Sequence, residues 1–440
     1  MLKPEDNEKI TRVGPGTPGG ELFRRYWIPA CLSSEAPEKD GPPVRVRLLG
    51  EDLIAFRDSN GDVGLIDAFC PHRRAPMFFG RNEECGMRCV YHGWKFDRHG
   101  DCVDMPSEPA GTPLQARVKI KAYPCVERGG VVWTYMGPNP DSPPPLPHLE
   151  WNLVREEQVA ISIRVQECNW LQALEGEIDS AHAAILHGRH GDGGVINQWK
   201  QAADLAPKFE CVQHSAGMSI GARRHTPDGR QYVRVNQFLM PFWTLVPPQA
   251  QFPELSGHAW VPMDDEHTLC LMFSYHPSQP FYEKTRKVFK EGHNGRETGH
   301  ASEQSFEPRP CTHPFPRYWS RYNRDNAYQF NYALQVEKYN SGLPGLWVQD
   351  AACQSGVTPI YDRSKEHLGT SDTGIARTRR QLLDHVRKFH TEGLRPSSAD
   401  HPEEFMRRAI SITLDAGANW IEAGAEHMQA QLGKDFGYQP

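Results

Sequence analysis

The sequence has little net charge and no long hydrophobic run. Its 440 residues carry a formal net charge of −6, so the chain lacks the basic surface expected of a nucleic-acid-binding protein. No stretch of about 18 consecutive apolar residues is present, which argues against a membrane-spanning helix. The first residues, 1–8, are polar and acidic and do not resemble a secretory signal peptide. We therefore expect a cytoplasmic protein.

Cysteine is present, but not in a pattern that predicts disulfide bonds. The 11 cysteines are odd in number and scattered along the chain, whereas disulfide frameworks use paired, closely spaced cysteines in short secreted chains. The chain also lacks a Gly-x-Gly-x-x-Gly sequence after a strand, which is the fingerprint of a dinucleotide-binding fold. Any reducing nucleotide must therefore act through another protein.

The pattern of short segments divides the chain into three parts. Residues 1–40 form a lead-in that is expected to pack on the third part. Residues 41–150 contain short alternating segments separated by turn signals, which predicts a small all-β domain that ends in a Pro-rich linker at 139–147. Residues 151–440 mix strand-like and helical segments, so the fold class is expected to be α+β. Two long helices are predicted in this third part, at Ile375–His390 and Pro402–Leu432.

Two short pairs of Cys and His carry the strongest signal. Cys70 and His72 form the first pair, and Cys89 and His92 form the second. Such a set can hold tetrahedral zinc or a Rieske [2Fe–2S] cluster, in which two Cys bind one iron and two His bind the other. A zinc finger pairs Cys with Cys and His with His, whereas each pair here mixes the two types. The arrangement therefore favours the cluster.

At this motif the chain resembles the Rieske non-haem iron oxygenases, through Cys-Pro-His at 70–72 and Cys-x-x-His-Gly-Trp at 89–94. It lacks the extra disulfide cysteines of respiratory Rieske proteins, because Cys85 stands alone and too close to Cys89. The resemblance implies an N-terminal all-β Rieske domain and a catalytic domain with an antiparallel sheet and helices, of the helix-grip, START-like type. It also implies a [2Fe–2S] cluster, a mononuclear non-haem Fe(II) and O2 as co-substrate.

A second group of potential metal ligands occurs at Asp179, His182 and His187, in a segment of helical composition. Residues three apart are neighbours on a helix, whereas residues five apart are rotated by about 140°. The helix must therefore distort, or end near Gly188, before both imidazoles can reach one metal. Two His and one carboxylate with open coordination positions form the facial triad of non-haem iron oxygenases.

The spacing Asp-x-x-His-x4-His also matches the pattern of this family. The resemblance implies that His182 and His187 bind the iron, and that Asp179 links this site to a cluster-binding His of the neighbouring subunit. It implies further that Asn169 lies near the iron.

The third iron ligand must be a carboxylate from far along the chain. The segment that ends in Gln349 and Asp350 resembles the corresponding element of the family, so Asp350 is the expected ligand. Asp362 and Asp325 are the alternatives.

The substrate is inferred from the branch that the chain most resembles, the phthalate dioxygenase branch, which favours aromatic carboxylates. An anion in an apolar pocket needs a cation, and the candidates are Lys208 and Arg234, with Arg223 and Arg224 behind them. The side chains that could stack on an aromatic ring are Phe238, Phe242 and Trp243, although core packing is the commoner role of such residues.

The resemblance also implies partners and a reaction. Electrons would come from a separate flavin- or ferredoxin-type NAD(P)H reductase, and the subunits would form a head-to-tail homotrimer or stacked hexamer without a β subunit. The expected reaction is cis-dihydroxylation of an aromatic acid, with monooxygenation, O-demethylation or ether cleavage as the alternative. An electron carrier with a ligand-binding domain and a zinc-stabilised binding protein are alternatives of a different class.

Overall fold

The strands of the protein form four antiparallel sheets over the residues that the computed structural model describes, which are 2–190, 204–248, 254–281, 286, 306–343 and 345–434. The strands are β1 Trp27–Leu32, β2 Val44–Leu48, β3 Glu51–Arg57, β4 Val63–Asp67, β5 Arg81–Glu83, β6 Gly86–Arg88, β7 Lys95–Phe96, β8 Cys102–Asp104, β9 Ala122–Tyr123, β10 Cys125–Arg128, β11 Val131–Tyr135, β12 Val159–Gln166, β13 Lys208–His214, β14 Gly217–His225, β15 Gln231–Leu239, β16 Trp243–Val246, β17 Leu255–Pro262, β18 Thr268–Tyr275 and β19 Ile410–Leu414.

The α-helices are mostly short. They are α1 Pro4–Thr11, α2 Pro18–Phe23, α3 Glu150–Leu153, α4 Trp170–Ile178, α5 Ala183–Leu186, α6 Tyr332–Glu337, α7 Leu346–Ser355, α8 Thr373–Glu392 and α9 Trp420–Gly424. Within the described ranges, none of the helices combines the length and the hydropathy that crossing a membrane would require.

The N-terminal region forms the expected small β domain. Strands β2, β3, β4 and β9 make one sheet, and β5 to β8 make a second. A separate hydrophobic core lies between them and includes Phe56, Met87 and Phe96 together with the buried Cys70 and Cys89. The two cysteines of the first motif are therefore part of the packed interior of this domain.

The lead-in contributes to the larger core rather than to the small domain alone. Strand β1 pairs with β11, which also pairs with β10. The ring of Phe23, at the end of α2, packs edge-on against Trp170 with centroids 4.9 Å apart. This aromatic pair brings the lead-in into contact with helix α4 of the third part.

The C-terminal region is built on one large antiparallel sheet, so the α+β prediction is confirmed. The strand order is β12-β18-β17-β16-β15-β14-β13, and β19 pairs with β15. Helix α4 packs against β15, β16 and β17, whereas α8 packs against β13 and β14. Helix α8 covers the predicted helix at 375–390. The sheet and α4 thus enclose the space in which the second motif lies.

The long helix predicted for Pro402–Leu432 is wrong. Ile410–Leu414 forms strand β19, which pairs with Gln231–Val235 of β15, and only the short α9 follows it. Alternate side chains of this strand, Ile410 and Ile412, are buried with Val233 and Val235. β-branched residues at alternate positions suit a strand. Pairing with β15 stabilises a strand here more than the imperfect helical pattern of the sequence stabilises a helix.

Candidate metal centres and active site

The first motif lies on two similar loops of the small domain. The loop after β4 is closed by the amide of Arg74, which donates to the carbonyl of Cys70 at 2.9 Å, and the loop between β6 and β7 is closed in the same way by Gly93 and Cys89, also at 2.9 Å. Gly93 has φ +82°, and a Cβ there would lie 2.6 Å from Pro106. Glycine is therefore required for this loop to turn at His92.

The two loops bring the two thiols and the two imidazoles together. The rings of His72 and His92 lie 4.4 Å apart between centroids, and Trp94 stacks on His72 at 4.3 Å. Cys70 and Cys89 are almost fully buried. Burial, together with the neighbouring Cys89, raises the pKa of the Cys70 thiol to about 11, so a thiolate at this position requires a cation beside it.

These residues fit a [2Fe–2S] cluster. Nδ1 of His72 is buried and has no hydrogen-bond partner among the described residues, and a buried polar atom without a partner is costly unless a ligand uses it. A Rieske cluster needs two thiolates and two imidazole nitrogens. Cys70 and Cys89 supply the thiols, and the adjacent rings of His72 and His92 supply the imidazoles.

The second motif is divided by a break in the helix before His182. Helix α4 ends at Ile178, Asp179 has an extended conformation, and His182 precedes the single turn α5, which ends at Leu186 with His187 as its C-cap. The side-chain oxygen of Asp179 accepts a hydrogen bond from the amide of Ala181 at 2.7 Å. This turn redirects the chain so that both imidazoles face one point.

Asp350, on helix α7, faces the same point. Its Oδ1 lies 3.4 Å from Nε2 of His182 and 3.6 Å from Nε2 of His187, and the possible ligand atoms of the three residues all lie within 4.8 Å of one another. Asp362 instead caps a short 3-10 helix through Ser364, and Asp325 is exposed. Two imidazoles and one carboxylate therefore fit a facial iron triad.

The other nitrogen of each imidazole is held by a second residue. Nδ1 of His187 lies 2.7 Å from Oε1 of Gln349, which can only accept, so Nδ1 carries the proton. Gln349 is fixed in turn by donating to the carbonyl of Leu343 at 2.9 Å. Nδ1 of His182 lies 3.4 Å from Asp179. These contacts leave Nε2 of both rings directed towards Asp350, as metal-binding histidines require.

The charges of the site favour a bound cation. Burial lowers the pKa of His182, but Asp179 and Asp350 outweigh it and hold that pKa well above the ordinary value. Burial also raises the pKa of Asp350, yet His187 and His182 outweigh it, so that this pKa is lowered. Burial lowers the pKa of His187, which keeps this imidazole neutral and ready to bind a metal.

A cavity of about 130 Å³ adjoins the triad. The helices that line the cavity contribute acidic groups, and this wall is its helical side. The strands form the opposite wall, its sheet side, to which β12 and β15 contribute Arg164 and Arg234. Arg234 is buried and donates to the carbonyl of Pro247 at 3.1 Å. Arg164 lies over the ring of Trp347, 4.7 Å from its centroid. The remaining polar lining residues are Glu177, Asp179, Ser180, Asn236, Ser256, His258, Ser274 and Gln354.

Of the basic residues expected to bind substrate, only Arg234 lines this cavity. Lys208 is exposed at the start of β13, in the edge strand of the sheet, and does not belong to the lining. Arg223 pairs with Glu210 at 3.4 Å. Arg224 is buried but donates to the carbonyl of Ser180 at 2.6 Å, where it supports the turn after α4.

The three aromatic candidates for ring stacking, Phe238, Phe242 and Trp243, are buried in the main core and do not line the cavity. Sequence reasoning missed Arg164 and His258. Each lies on a strand, at one of the alternate positions whose side chains face the cavity. A charged or titratable residue at such an inward position is the signal that could have identified them.

Asn169 lies at the opposite end of α4 from Asp179, about 15 Å away for caps ten residues apart. Its side chain accepts from the amide of Leu171 and donates to the carbonyls of Thr11 and Asp265. Asn169 therefore caps the helix and connects the lead-in to it. It lies at the end of the helix that is far from the iron triad, and not near the iron as expected.

Comparisons with known proteins agree with both centres. The family described as Rieske [2Fe-2S] domain matches residues 26–124, and the family described as LigXa C-terminal domain like matches residues 134–431. The oxygenase subunit of 3-chlorobenzoate-3,4-dioxygenase from Comamonas testosteroni is 38% identical over 410 residues, which are 92% of this chain and 93% of that one. The phthalate 4,5-dioxygenase oxygenase subunit from Pseudomonas putida is 37% identical over 402 residues, which are 88% and 87%.

A solved structure gives the same fold at low sequence identity. Dicamba monooxygenase bound to dicamba superposes with a TM-score of 0.56 at 15% identity, covering 84% of this chain and 99% of that one. Because the two family models match most of the chain and the relatives match nearly the whole sequence, the chain belongs to the Rieske non-haem iron oxygenases, as a terminal oxygenase subunit.

Proposed function

We propose that the protein hydroxylates a single-ring aromatic carboxylate, and that the reaction is cis-dihydroxylation. The observation that carries this proposal is the buried Arg234 in the wall of the cavity that adjoins the iron triad. An arginine in a partly closed cavity favours a carboxylate, which it can bind through two parallel hydrogen bonds. The names of the two relatives, a chlorobenzoate and a phthalate dioxygenase, support the same class of substrate.

The size of the cavity supports one ring rather than two. Its volume is about 130 Å³, and an apolar protein cavity of roughly 150 Å³ holds one benzene molecule. Met272, Trp260 and Leu346 provide apolar lining against which a ring can pack. The volume is thus of the order that one ring needs, and we propose that the ring lies beside the triad with its carboxylate at Arg234.

The residues of the two motifs take separate parts in this reaction. Cys70, His72, Cys89 and His92 would hold the cluster, and His182, His187 and Asp350 would hold the iron. When bound, the cluster supplies single electrons and the iron activates dioxygen. The protein binds and orients the acid, keeps each imidazole in the required tautomer and limits the access of water.

The route of electrons is proposed to cross a subunit interface. Asp179 contacts His182 and is partly exposed, so it can also reach a neighbouring subunit. Beside the cluster motif, the apolar side chains of Phe79, Val90 and Tyr91 are more than half exposed. Such a patch is expected to be covered, and a head-to-tail homotrimer, alone or stacked as a hexamer, would cover it. The mass of the assembly in solution tests this arrangement.

A separate flavin- or ferredoxin-type NAD(P)H reductase is proposed as the source of electrons, and the cytoplasm as the place where both proteins work.

The alternative of a pure electron carrier does not require His182, His187 and Asp350 to converge, and it does not agree with the family. Monooxygenation or ether cleavage of an aromatic acid remains the second candidate reaction, and the mass of the product distinguishes it.

The proposal is tested by supplying a surrogate reductase and NADH and screening single-ring aromatic acids for oxygen uptake and product mass. Addition of two oxygen atoms and two hydrogen atoms identifies cis-dihydroxylation. We expect Arg234→Gln to raise the KM for the acid by about 10–100-fold, since a charged hydrogen bond contributes about 1.5–3 kcal/mol. Lys208→Gln is the matched control and should leave the KM unchanged. Uptake only with neutral substrates, or equal effects of both variants, would refute the substrate class.

A further inference from the structure

One pair of titratable side chains in the cavity has no part in either metal centre. Nδ1 of His258, on β17, lies 2.8 Å from Oε1 of Glu177, in the last turn of α4. Both residues line the cavity beside the triad, and their side chains are only 17% and 16% exposed. The pair therefore connects the sheet to the helix that leads into the iron-binding turn.

The imidazole of His258 is held in a fixed position. Its ring stacks on Trp260 with centroids 5.0 Å apart, and the indole of Trp260 donates to Thr244 at 2.9 Å. The backbone carbonyl of Glu177 accepts from Asn236 at 3.0 Å, so the other partner is also anchored. A ring fixed by stacking and by one hydrogen bond presents its remaining nitrogen, Nε2, in a constant direction.

The carboxylate of Glu177 determines what Nε2 can do. An ionised carboxylate only accepts, so Nδ1 of His258 carries a proton. The same carboxylate stabilises the imidazolium that forms when Nε2 is also protonated. This arrangement of a carboxylate and an imidazole produces a proton donor in many enzymes.

Oxygenation by this family creates a demand for protons inside the cavity. When two electrons from the reductase reach one O2, cis-dihydroxylation places both oxygen atoms on the substrate and takes up two protons. Monooxygenation places one oxygen on the substrate, releases the other as water and also takes up two protons. The demand is therefore the same for either reaction and does not depend on which substrate is oxidised.

We propose that His258, oriented by Glu177, delivers protons to dioxygen during its reduction in this cavity. The N–H bond at Nε2 breaks, the proton forms an O–H bond with an oxygen atom of the product or of water, and neutral His258 recovers a proton from solvent. Electrons reach the oxygen only from the reductase, so the residue itself is neither oxidised nor reduced.

Charged and titratable groups line the cavity together with His258. They are the carboxylates of the helices, the arginines of the sheet and the histidines of the triad. The groups concerned are Glu177, Asp179, Asp350, Arg164, Arg234, His182 and His187. Because proton donation needs the imidazolium, turnover should fall as the pH is raised, and this fall should depend on His258.

The test compares His258→Gln and Glu177→Gln in the reconstituted enzyme, with whichever acid the wild-type protein turns over fastest. We expect His258→Gln to lower turnover by about 100-fold or more and to abolish the alkaline limb of the pH profile. Glu177→Gln keeps a hydrogen-bond acceptor but removes the charge, so the alkaline limb should move to lower pH. His267→Gln is the matched control, because His267 forms a similar pair with Asp264 at 2.9 Å outside the cavity lining.

Two further measurements separate proton delivery from binding and from folding. Iron content, and the affinity of iron-free protein for the same acid by calorimetry, should be unchanged in both variants. Loss of affinity in proportion to the loss of turnover would assign the pair to substrate binding and overturn the proposal. So would turnover within threefold of wild type in His258→Gln, or an unmoved pH profile in Glu177→Gln. If His258→Gln does not fold, the profile of Glu177→Gln decides alone.

Discussion

Gln349 should control how tightly the mononuclear site binds iron, although it does not touch the metal. Its Oε1 accepts the proton of His187 Nδ1 at 2.7 Å, and its Nε2 donates to the carbonyl of Leu343 at 2.9 Å. Gln349→Leu keeps the approximate volume of the side chain but removes both hydrogen bonds. The imidazole of His187 then loses the contact that fixes its tautomer and the direction of Nε2.

Loss of such a supporting contact weakens metal binding about 10–100-fold in proteins. This corresponds to about 1.4–2.7 kcal/mol, since a factor of ten is 1.36 kcal/mol. The variant should also lose about 1–3 kcal/mol of folding stability, because the buried Leu343 carbonyl loses its donor. The affinity for Fe(II) is measured by competition with a chelator, while the visible absorption of the cluster reports that the small domain is intact.

Gln381→Leu is the matched control for this prediction. Gln381 is also buried, and its Nε2 donates to the carbonyl of Gly217 at 3.0 Å, where neither residue lines the cavity of the triad. It should lose stability but keep the wild-type affinity for iron. Gln349→Glu keeps an acceptor for His187 and should retain affinity. Wild-type affinity in Gln349→Leu, or equal weakening in Gln381→Leu, would refute the role given to Gln349.

Three other predictions concern the motifs themselves. Asp179→Asn should retain cluster and iron but lose most coupled oxygenation, measured as product formed per electron consumed; normal coupling would contradict the proposed bridge. His72→Ala should abolish the visible absorption of the cluster and leave mononuclear iron, measured by metal analysis, and an unchanged spectrum would contradict its ligand role. Iron affinity should rise about tenfold per pH unit near neutral pH, because iron must displace a proton from His182, whose pKa is raised. A flat dependence between pH 6 and 8 would show that no proton is displaced.

Local spacing was sufficient to predict the parts of the site that lie close together in sequence. Two short loops hold Cys70, His72, Cys89 and His92, so the spacing of these residues in the sequence indicates that each pair lies close together. The five-residue interval from His182 to His187 predicted a helix that distorts or ends near Gly188, and α5 does end at Leu186. The break between α4 and α5, before His182, was not predicted. Neither inference required knowledge of the sheet.

Contacts between distant segments could not be obtained in the same way. Asp350 was expected only through a family resemblance, because no local rule places α7 beside α5. Lys208 was predicted to bind the substrate, but it lies on the edge strand β13 and outside the cavity lining. The edge position of β13 depends on the order of the whole sheet. The positions of His258 and Arg164 in the cavity wall could not be predicted, because the order of the whole sheet determines which strands line the cavity.

The central claim is that one chain holds two different iron centres, and iron and sulfide analysis with Mössbauer spectroscopy of 57Fe-loaded protein tests it most directly. The account predicts two acid-labile sulfides and two inequivalent cluster irons per chain, together with one sulfide-free ferrous ion at the triad. Zinc at the Cys and His pairs, absence of sulfide, or a single kind of iron would contradict it.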